Sequence, residues 1–246
     1  MLDASRPAQA APMSRHATSL MRLLLPPHCL LCGGRGTDGH DLCAGCRGDL
    51  VANEPACPSC ALPLAIPAAA CGECLRKPPP FTAAWAAFRY QHPLDLLEAR
   101  FKFHHDLAAG RTLATAMAAR ARRAVPDRPG LLLPVPLHPR RLGERGYNQA
   151  LELARELAES LHLPLRHDAL ERTRDTPAQT GLDADARRRN LRGAFAVGAG
   201  LRLPEHVALV DDVMTTGATL RECARTLRRA GVVRVDAWVL ARAPRR

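Results

Sequence analysis

Two groups of residues have types and spacings that could do chemistry: cysteine pairs in the first third of the chain and two adjacent aspartates near its end. Eight of the nine cysteines form four C-x-x-C pairs. Such a pair places two thiolates on one metal ion, and two pairs complete a tetrahedral Cys₄ site of the kind that holds structural zinc. The predicted ligands are Cys29, Cys32, Cys43, Cys46, Cys57, Cys60, Cys71 and Cys74.

The cysteine pairs form an internal repeat, because adding 28 to the first four positions gives the second four. The repeat predicts two zinc ions, with sequential pairing of the ligands preferred and cross-braced pairing left open. The segments between the pairs are short, so metal binding must supply their folding free energy. Disulfides are disfavoured because residues 20–25 are too short for a signal peptide and the cytosol keeps thiols reduced.

The second group lies in the stretch VALVDDVMTTGAT, residues 207–219. An apolar run ends in Asp211 and Asp212, and a turn then leads into a helical pattern. Ligands of open α/β sheets bind at the carboxyl ends of strands, and the N–H groups at a helix start attract anions. Carboxylates beside an anion-binding turn predict a sugar phosphate site. The alternative is a simple helix N-cap with acids near the positive end of the helix dipole.

The elements that must position these residues follow from the periodicity of apolar side chains. Strands are predicted at 131–137, 163–170, 194–197, 206–212 and 232–242. One or two helices are predicted across 93–124, and single helices at 146–161 and 219–230. This alternation indicates an α/β fold, a mostly parallel open sheet flanked by helices, with a small N-terminal Cys₄ zinc-ribbon module. The predicted division is a disordered N-terminus at 1–19, a double zinc ribbon at 20–76 and the α/β domain at 77–246.

Composition limits the choice of partners. The net charge is +11, from 35 basic and 24 acidic residues. Most of the basic residues are arginines, whose forked guanidinium suits phosphate, although the same bias also fits a GC-rich genome. No apolar run approaches the roughly 20 residues of a membrane span, so a cytoplasmic protein is predicted. The ninth cysteine, Cys223, falls on the apolar stripe of its helix and is predicted to be a core residue.

Several stretches together resemble a known family. VALVDDVMTTGAT resembles the phosphoribosyl pyrophosphate (PRPP) motif of type I phosphoribosyltransferases. The rest resembles one branch of these, the ComF family, through FKF at 101–103, the RGYNQ core of residues 135–150 and the R-x-R-x-T segment of residues 172–195. The paired C-x-x-C module resembles that family's zinc ribbons, so the likeness covers residues 20–242.

The resemblance implies a phosphoribosyltransferase-like domain that binds PRPP with Mg²⁺, and it implies a role for each matching residue. Asp211 and Asp212 would hold the ribose hydroxyls. The 5′-phosphate would lie in the turn of Thr215, Thr216, Gly217, Ala218 and Thr219. Pyrophosphate would face Pro136, Leu137 and His138. Lid and polyphosphate contacts would come from Arg140, Arg141, Arg172, Arg174, Gln179 and Asn190. The catalytic set would be Asp211, Asp212, Arg145 and Arg187.

Two functional hypotheses follow from the resemblance. In the first, the protein is an enzyme that transfers the phosphoribosyl group and releases pyrophosphate, in DNA uptake (competence) or nucleotide metabolism. In the second, it is a non-catalytic protein that binds PRPP or single-stranded DNA within the competence machinery. The acceptor, the oligomeric state and the choice of Met1 or Met13 as the true start stay open. Asn148 fits a helix N-cap and a functional role equally well.

Overall fold

A computed structural model describes residues 26–38, 40–125, 127–175 and 191–244. The strands within these ranges are β1 (Ala83–Arg89), β2 (Leu131–Pro134), β3 (Leu170–Arg172), β4 (Phe195–Val197), β5 (His206–Met214) and β6 (Arg234–Arg242). Four of them form one parallel sheet, in the order β1, β6, β5, β2. A separate antiparallel pair is formed by β3 and β4.

The helices begin and end at residues whose chemistry suits those places. Asp106 caps the longest helix by accepting from the backbone N–H of Ala109 at 3.0 Å. Gly217, with φ of 71°, stands at the start of the helix after β5, and Gly231, with φ of 93°, follows its end. The helices are α1 (Ala44–Gly48), α2 (Gly72–Arg76), α3 (Leu94–Phe103), α4 (Leu107–Ala124), α5 (Pro139–Arg145), α6 (Gln149–Leu161) and α7 (Ala218–Arg229).

Helices cover both faces of the four-stranded sheet. On one face, α7 and the β3–β4 pair pack against alternate strand residues such as Leu133 and Leu209. On the other face, α3, α4 and α6 pack against residues such as Leu132 and Val210. The central strand β5 is buried on both sides, which explains its unbroken apolar run. The predicted fold class, a parallel α/β sheet with an N-terminal cysteine module, is confirmed.

Some predicted boundaries were wrong. No strand was predicted where β1 lies, because AAWAAFR lacks β-branched residues; pairing with β6 makes this segment a strand. The strand expected at 163–170 instead starts at Leu170, and earlier only Leu165 makes a bridge, to Leu132. The basic stretch after β2 is helix α5, capped by His138 and ended by left-handed Gly146.

Candidate functional site

The eight paired cysteines gather into two groups of four thiols, one from each half of the repeat. Within each group the sulfur atoms all lie within 4.8 Å of one another. The Sγ atoms of Cys32 and Cys43 are 3.8 Å apart, and those of Cys60 and Cys71 are 3.6 Å apart. Tetrahedral zinc with bonds of about 2.3 Å holds its sulfurs about 3.8 Å apart, whereas a disulfide would require about 2.05 Å.

The pairing is therefore sequential, and the cross-braced alternative is excluded. We call the group at 29, 32, 43 and 46 the first ribbon and the group at 57, 60, 71 and 74 the second ribbon. Backbone amides support the thiolates: the N–H of Cys46 donates to Cys43 Sγ at 3.4 Å, and the N–H of Cys71 donates to Cys57 Sγ at 3.2 Å. The donor set, spacing and amide support fit two structural zinc ions, one in each ribbon.

The aspartate pair lies where β5 extends past its neighbour β2. The last pairing to β2 joins Pro134 to Val210, whereas the pairing to β6 continues to Met214. The in-out alternation of β5 is interrupted at the acids, because Val210 and Val213 pack against the same side of the sheet although they are three positions apart. β5 thus continues to Met214, two residues past the predicted end at 212, and the acids lie inside the strand at the edge that β2 leaves unpaired.

The two carboxylates differ in their surroundings. Asp211 Oδ1 accepts from the N–H of Asp212 at 3.0 Å, and burial, followed by repulsion from the Asp212 carboxylate, raises the pKa of Asp211 well above its usual value. Asp212 is held through both oxygens: Oδ1 accepts from the N–H of Val213 at 2.6 Å, and Oδ2 lies 3.2 Å from Lys102 Nζ. Lys102 therefore offsets part of the negative charge at this edge of the sheet.

Lys102 belongs to a buried charge cluster on α3. Its Nζ lies 3.1 Å from Oε1 of Glu98, whose side chain is 3% exposed. Burial would lower the pKa of Lys102, but attraction to Asp212 and Glu98 outweighs it and raises the pKa above its usual range. The hydroxyl of Tyr90 donates to Glu98 Oε2 at 3.4 Å. Glu98 was missed from the sequence, although its position four residues before Lys102 on an apolar helix was a usable signal.

The turn after β5 forms a hollow together with one of the acids. Asp211 and residues 213–220 line it, so the predicted turn residues Thr215, Thr216, Gly217, Ala218 and Thr219 meet Asp211 there. Thr216 Oγ1 accepts from the N–H of Ala218 at 3.4 Å. The left-handed backbone of Gly217 directs the chain into α7, whose first N–H groups face the same region.

The loop after β2 is attached to the same edge. The N–H of Val135 donates to the carbonyl of Val210 at 2.9 Å, so the loop that continues through Pro136, Leu137 and His138 starts next to the residue that precedes Asp211. Asn148 Nδ2 donates to the Val135 carbonyl at 3.0 Å, while its Oδ1 caps α6 by accepting from the N–H of Ala150 at 3.0 Å. Asn148 thus serves as the N-cap of α6 and also braces this loop, so the N-cap interpretation is confirmed, and a functional role for Asn148 stays a prediction.

A second contact joins the RGYNQ stretch to α3. The Tyr147 ring stacks on Phe101 with centroids 5.3 Å apart, and its hydroxyl donates to the Phe101 carbonyl. Gly110 of α4 makes room for the Phe101 ring, because a Cβ added at position 110 would lie 2.3 Å from that ring. Since Lys102 follows Phe101, these contacts fix the turn of α3 that presents the ammonium to Asp212.

The predicted arginines lie in different environments. Arg145 Nη1 donates to Gln149 Oε1 at 2.8 Å, and the exposed Arg140 pairs with Glu144 and Asp175. Arg174 Nη1 donates to the carbonyl of Arg192 at 3.0 Å, and Arg141 lies close enough to Arg172 to influence its pKa.

Arg172, one of the predicted lid and polyphosphate residues, has a buried environment. It lies in β3, is 8% exposed, and its guanidinium is 5.7 Å from the Phe195 ring centre. Burial, followed by repulsion from Arg141, lowers the pKa of Arg172. The remaining predicted lid residues, Gln179 and Asn190, and Arg187 of the predicted catalytic set fall outside the described residues. Cys223 is fully buried, as predicted.

These features define a class of protein: a double zinc ribbon fused to a parallel α/β domain with an acid pair and an anion-type turn at one sheet edge. The double zinc ribbon domain family matches residues 20–75. Competence protein F of Haemophilus influenzae is 38% identical over 83% of this chain and 91% of its own length. DNA utilization protein YhgH of Escherichia coli O157:H7 is 37% identical over 89% of this chain and 99% of its own length.

A more distant relative is competence protein ComFC of Streptococcus pneumoniae, which is 26% identical over 64% of this chain. With relatives above 30% identity along most of its length, the chain belongs to the ComF family, which includes Competence protein F and YhgH. Over the part of the chain that the structure describes, no helix is long and apolar enough to cross a bilayer.

Proposed function

We propose that the protein binds PRPP with Mg²⁺ at the edge formed by the end of β5, the turn and the loop after β2. The observation that carries this proposal is the contact of Asp211 with the turn residues in one hollow, beside Asp212 and its Lys102 partner. The turn would hold the 5′-phosphate through its N–H groups and hydroxyls. The oxygens of Asp212 keep further lone pairs with which to accept from ribose hydroxyls.

We further propose that the bound PRPP is a phosphoribosyl donor in the use or uptake of DNA, the processes named for the relatives. The bond from C1 of the ribose to pyrophosphate would break with its electron pair on the pyrophosphate oxygen, and a lone pair of the acceptor would form the new bond. Asp211 and Asp212 would offset the positive charge that develops on the ribose. Mg²⁺ would neutralise the leaving pyrophosphate.

The test is calorimetric titration with PRPP and Mg²⁺. We expect wild-type binding and an Asp212→Asn variant that binds about 10- to 150-fold more weakly, because hydrogen bonds to charged groups contribute about 1.5–3 kcal/mol. The matched control is Asp168→Asn, an exposed acid that pairs with Arg166 away from this edge. Equal affinity in wild type and Asp212→Asn would contradict the assignment. Pyrophosphate release with a panel of bases and amines then separates a transferase from a binding protein.

The second candidate function is binding of single-stranded DNA, which one groove favours. A groove of about 990 Å³ lies between α1, residues 50–54 and α4, and Arg47, Arg120 and Arg123 line it together with apolar residues. The carboxylate in its lining, Glu54, is paired with Arg120. Arg47 pairs with Asp38 at 3.3 Å, but this ion pair is exposed and contributes little to stability. The guanidinium groups of Arg47 and Arg123, in a chain of net charge +11, therefore suit a phosphodiester backbone.

This second function predicts steep salt dependence. We expect an Arg47→Gln, Arg123→Gln variant to bind a labelled oligothymidylate more weakly in fluorescence anisotropy, with a salt slope smaller by about 1.4, since each phosphate contact contributes about 0.7. Arg155→Gln on the distant, exposed face of α6 is the control. An unchanged slope would remove the groove from consideration.

A further inference from the structure

Arg242, the last residue of β6, is buried beneath the turn after β5. It is 1% exposed, and its Nη1 donates to the carbonyls of Met214 at 2.9 Å and Thr215 at 2.6 Å. A third contact joins Nη1 to the carbonyl of Ala243 at 2.6 Å. A buried guanidinium needs such partners, because burial of a charge is costly and arginine does not lose its proton. The start of the turn therefore supplies much of the environment that this cation requires.

The same contacts fix the direction of the turn's amides. In a planar trans peptide the carbonyl and the following N–H point in opposite directions. The carbonyls of Met214 and Thr215 point toward Arg242, so the N–H groups of Thr215 and Thr216 point away from it. Arg242 thus orients two of the amides that the proposed phosphate site uses.

The opposite edge of the guanidinium contacts the second ribbon. Arg242 Nε donates to the carbonyl of Cys60 at 3.1 Å, and Cys60 is a ligand of the second metal group. The turn that follows the Cys57–Cys60 pair, which we call the knuckle of the second ribbon, is also held by Asn53, whose Nδ2 donates to the carbonyl of Ala61 at 2.9 Å. A Cys₄–zinc site has a formal charge of −2, which favours a cation at this position. One side chain therefore touches both the metal-binding knuckle and the turn.

We infer that Arg242 is a positioning residue that couples the zinc of the second ribbon to the turn, so that each site strengthens the other. This inference rests on the proposed binding of PRPP. If the metal is lost, the Cys60 carbonyl moves and the guanidinium loses a partner, and the amides of the turn lose their fixed direction. By reciprocity, a ligand in the turn must raise the equilibrium affinity of the second ribbon for zinc by the same factor. We expect this tighter binding to appear as slower release of that zinc.

The first experiment uses the wild-type protein with its zinc. Zinc release to a colorimetric chelator is followed with and without saturating PRPP, in excess Mg²⁺. We expect PRPP to slow the release of the second ribbon's zinc about tenfold and to leave the release of the first ribbon's zinc unchanged. Equal protection of both zinc ions, or of neither, would overturn the inference, and this result needs no variant.

The second experiment compares Arg242→Lys with Arg234→Lys, a matched arginine at the start of the same strand whose partners are Asp127 and Asp236. We expect Arg242→Lys to retain two zinc ions by elemental analysis but to bind PRPP at least tenfold more weakly and to lose the protection of zinc. Arg234→Lys should match wild type. If wild type binds PRPP and Arg242→Lys equals it in both readouts, the inference alone fails. If wild type does not bind PRPP, the proposed function fails as well.

Discussion

The two ribbons have the same cysteine spacing but lie on opposite faces of the sheet. Leu42 and Cys29 of the first ribbon join the core formed by α3, α4 and α6, whereas Ala61 of the second ribbon joins the core that includes α7. In the second ribbon all four thiols are buried. In the first ribbon only Cys29 is buried, and Cys32 is exposed. The repeat therefore sets the coordination, while the face of the sheet sets how strongly the protein protects each metal.

Each ribbon is anchored by an arginine that donates to one of its carbonyls, and the arginine of the first ribbon is the more exposed of the two. Arg100 of α3, which pairs with Asp106, donates to the carbonyl of Leu30 in the first ribbon at 2.6 Å. Its side chain is 40% exposed. Arg242 makes the corresponding contact to the second ribbon from a fully buried position. One repeat unit is thus docked by a partly solvated arginine and the other by a desolvated one.

The largest effect should come from removing a ligand of the second ribbon. Cys57→Ser is expected to lower the free energy of unfolding by more than about 4 kcal/mol, in the class of metal-site losses, because this sulfur is wholly buried. For a domain of this size that corresponds to a fall in Tm of about 8–16 °C. Calorimetry or thermal circular dichroism measures it.

The comparison variant in the first ribbon is Cys43→Ser, chosen because its sulfur is partly exposed. We expect it to lower Tm by less than half as much, because solvent can replace the lost contacts. Equal shifts for the two variants would show that burial does not distinguish the ribbons.

A chelator should distinguish the two zinc ions by rate. We expect release in two phases of one zinc each, the faster from the first ribbon, because its exposed sulfurs are open to attack. A tenfold difference in rate corresponds to about 1.4 kcal/mol in barrier height. Stopped-flow absorbance with a colorimetric chelator measures both phases. The fast phase should be absent in Cys43→Ser. If the fast phase persists in this variant, it does not come from the first ribbon and our assignment of the phases is wrong.

The smallest effect should come from the anchor of the first ribbon. Arg100→Gln is expected to cost about 1 kcal/mol, since the lost hydrogen bonds are partly solvated. It should speed the fast phase of zinc release and leave the slow phase unchanged. A change in the slow phase would mean that loosening the first ribbon also alters the rate of zinc release from the second ribbon. Arg111→Gln, an exposed arginine on α4, is the control.

By itself, the sequence determined the features that depend on local spacing. A C-x-x-C knuckle brings two sulfurs together whatever surrounds it, so the ligands and the zinc count followed from the repeat. The turn after β5 could be predicted in the same way, since Gly217 and the hydroxyl residues that form it lie within a few positions of one another. The parallel α/β class followed from alternating strands and helices, and burial of Cys223 followed from its place on an apolar stripe.

Only the tertiary structure decided which distant residues meet. Lys102 reaches Asp212 because α3 packs at the edge of β5, and Arg242 reaches both the turn and Cys60 because β1 places the second ribbon against that end of the sheet. β1 itself exists through its pairing with β6. Contacts between residues a hundred or more positions apart depend on how the layers pack, and neither periodicity nor spacing along the chain carries that information.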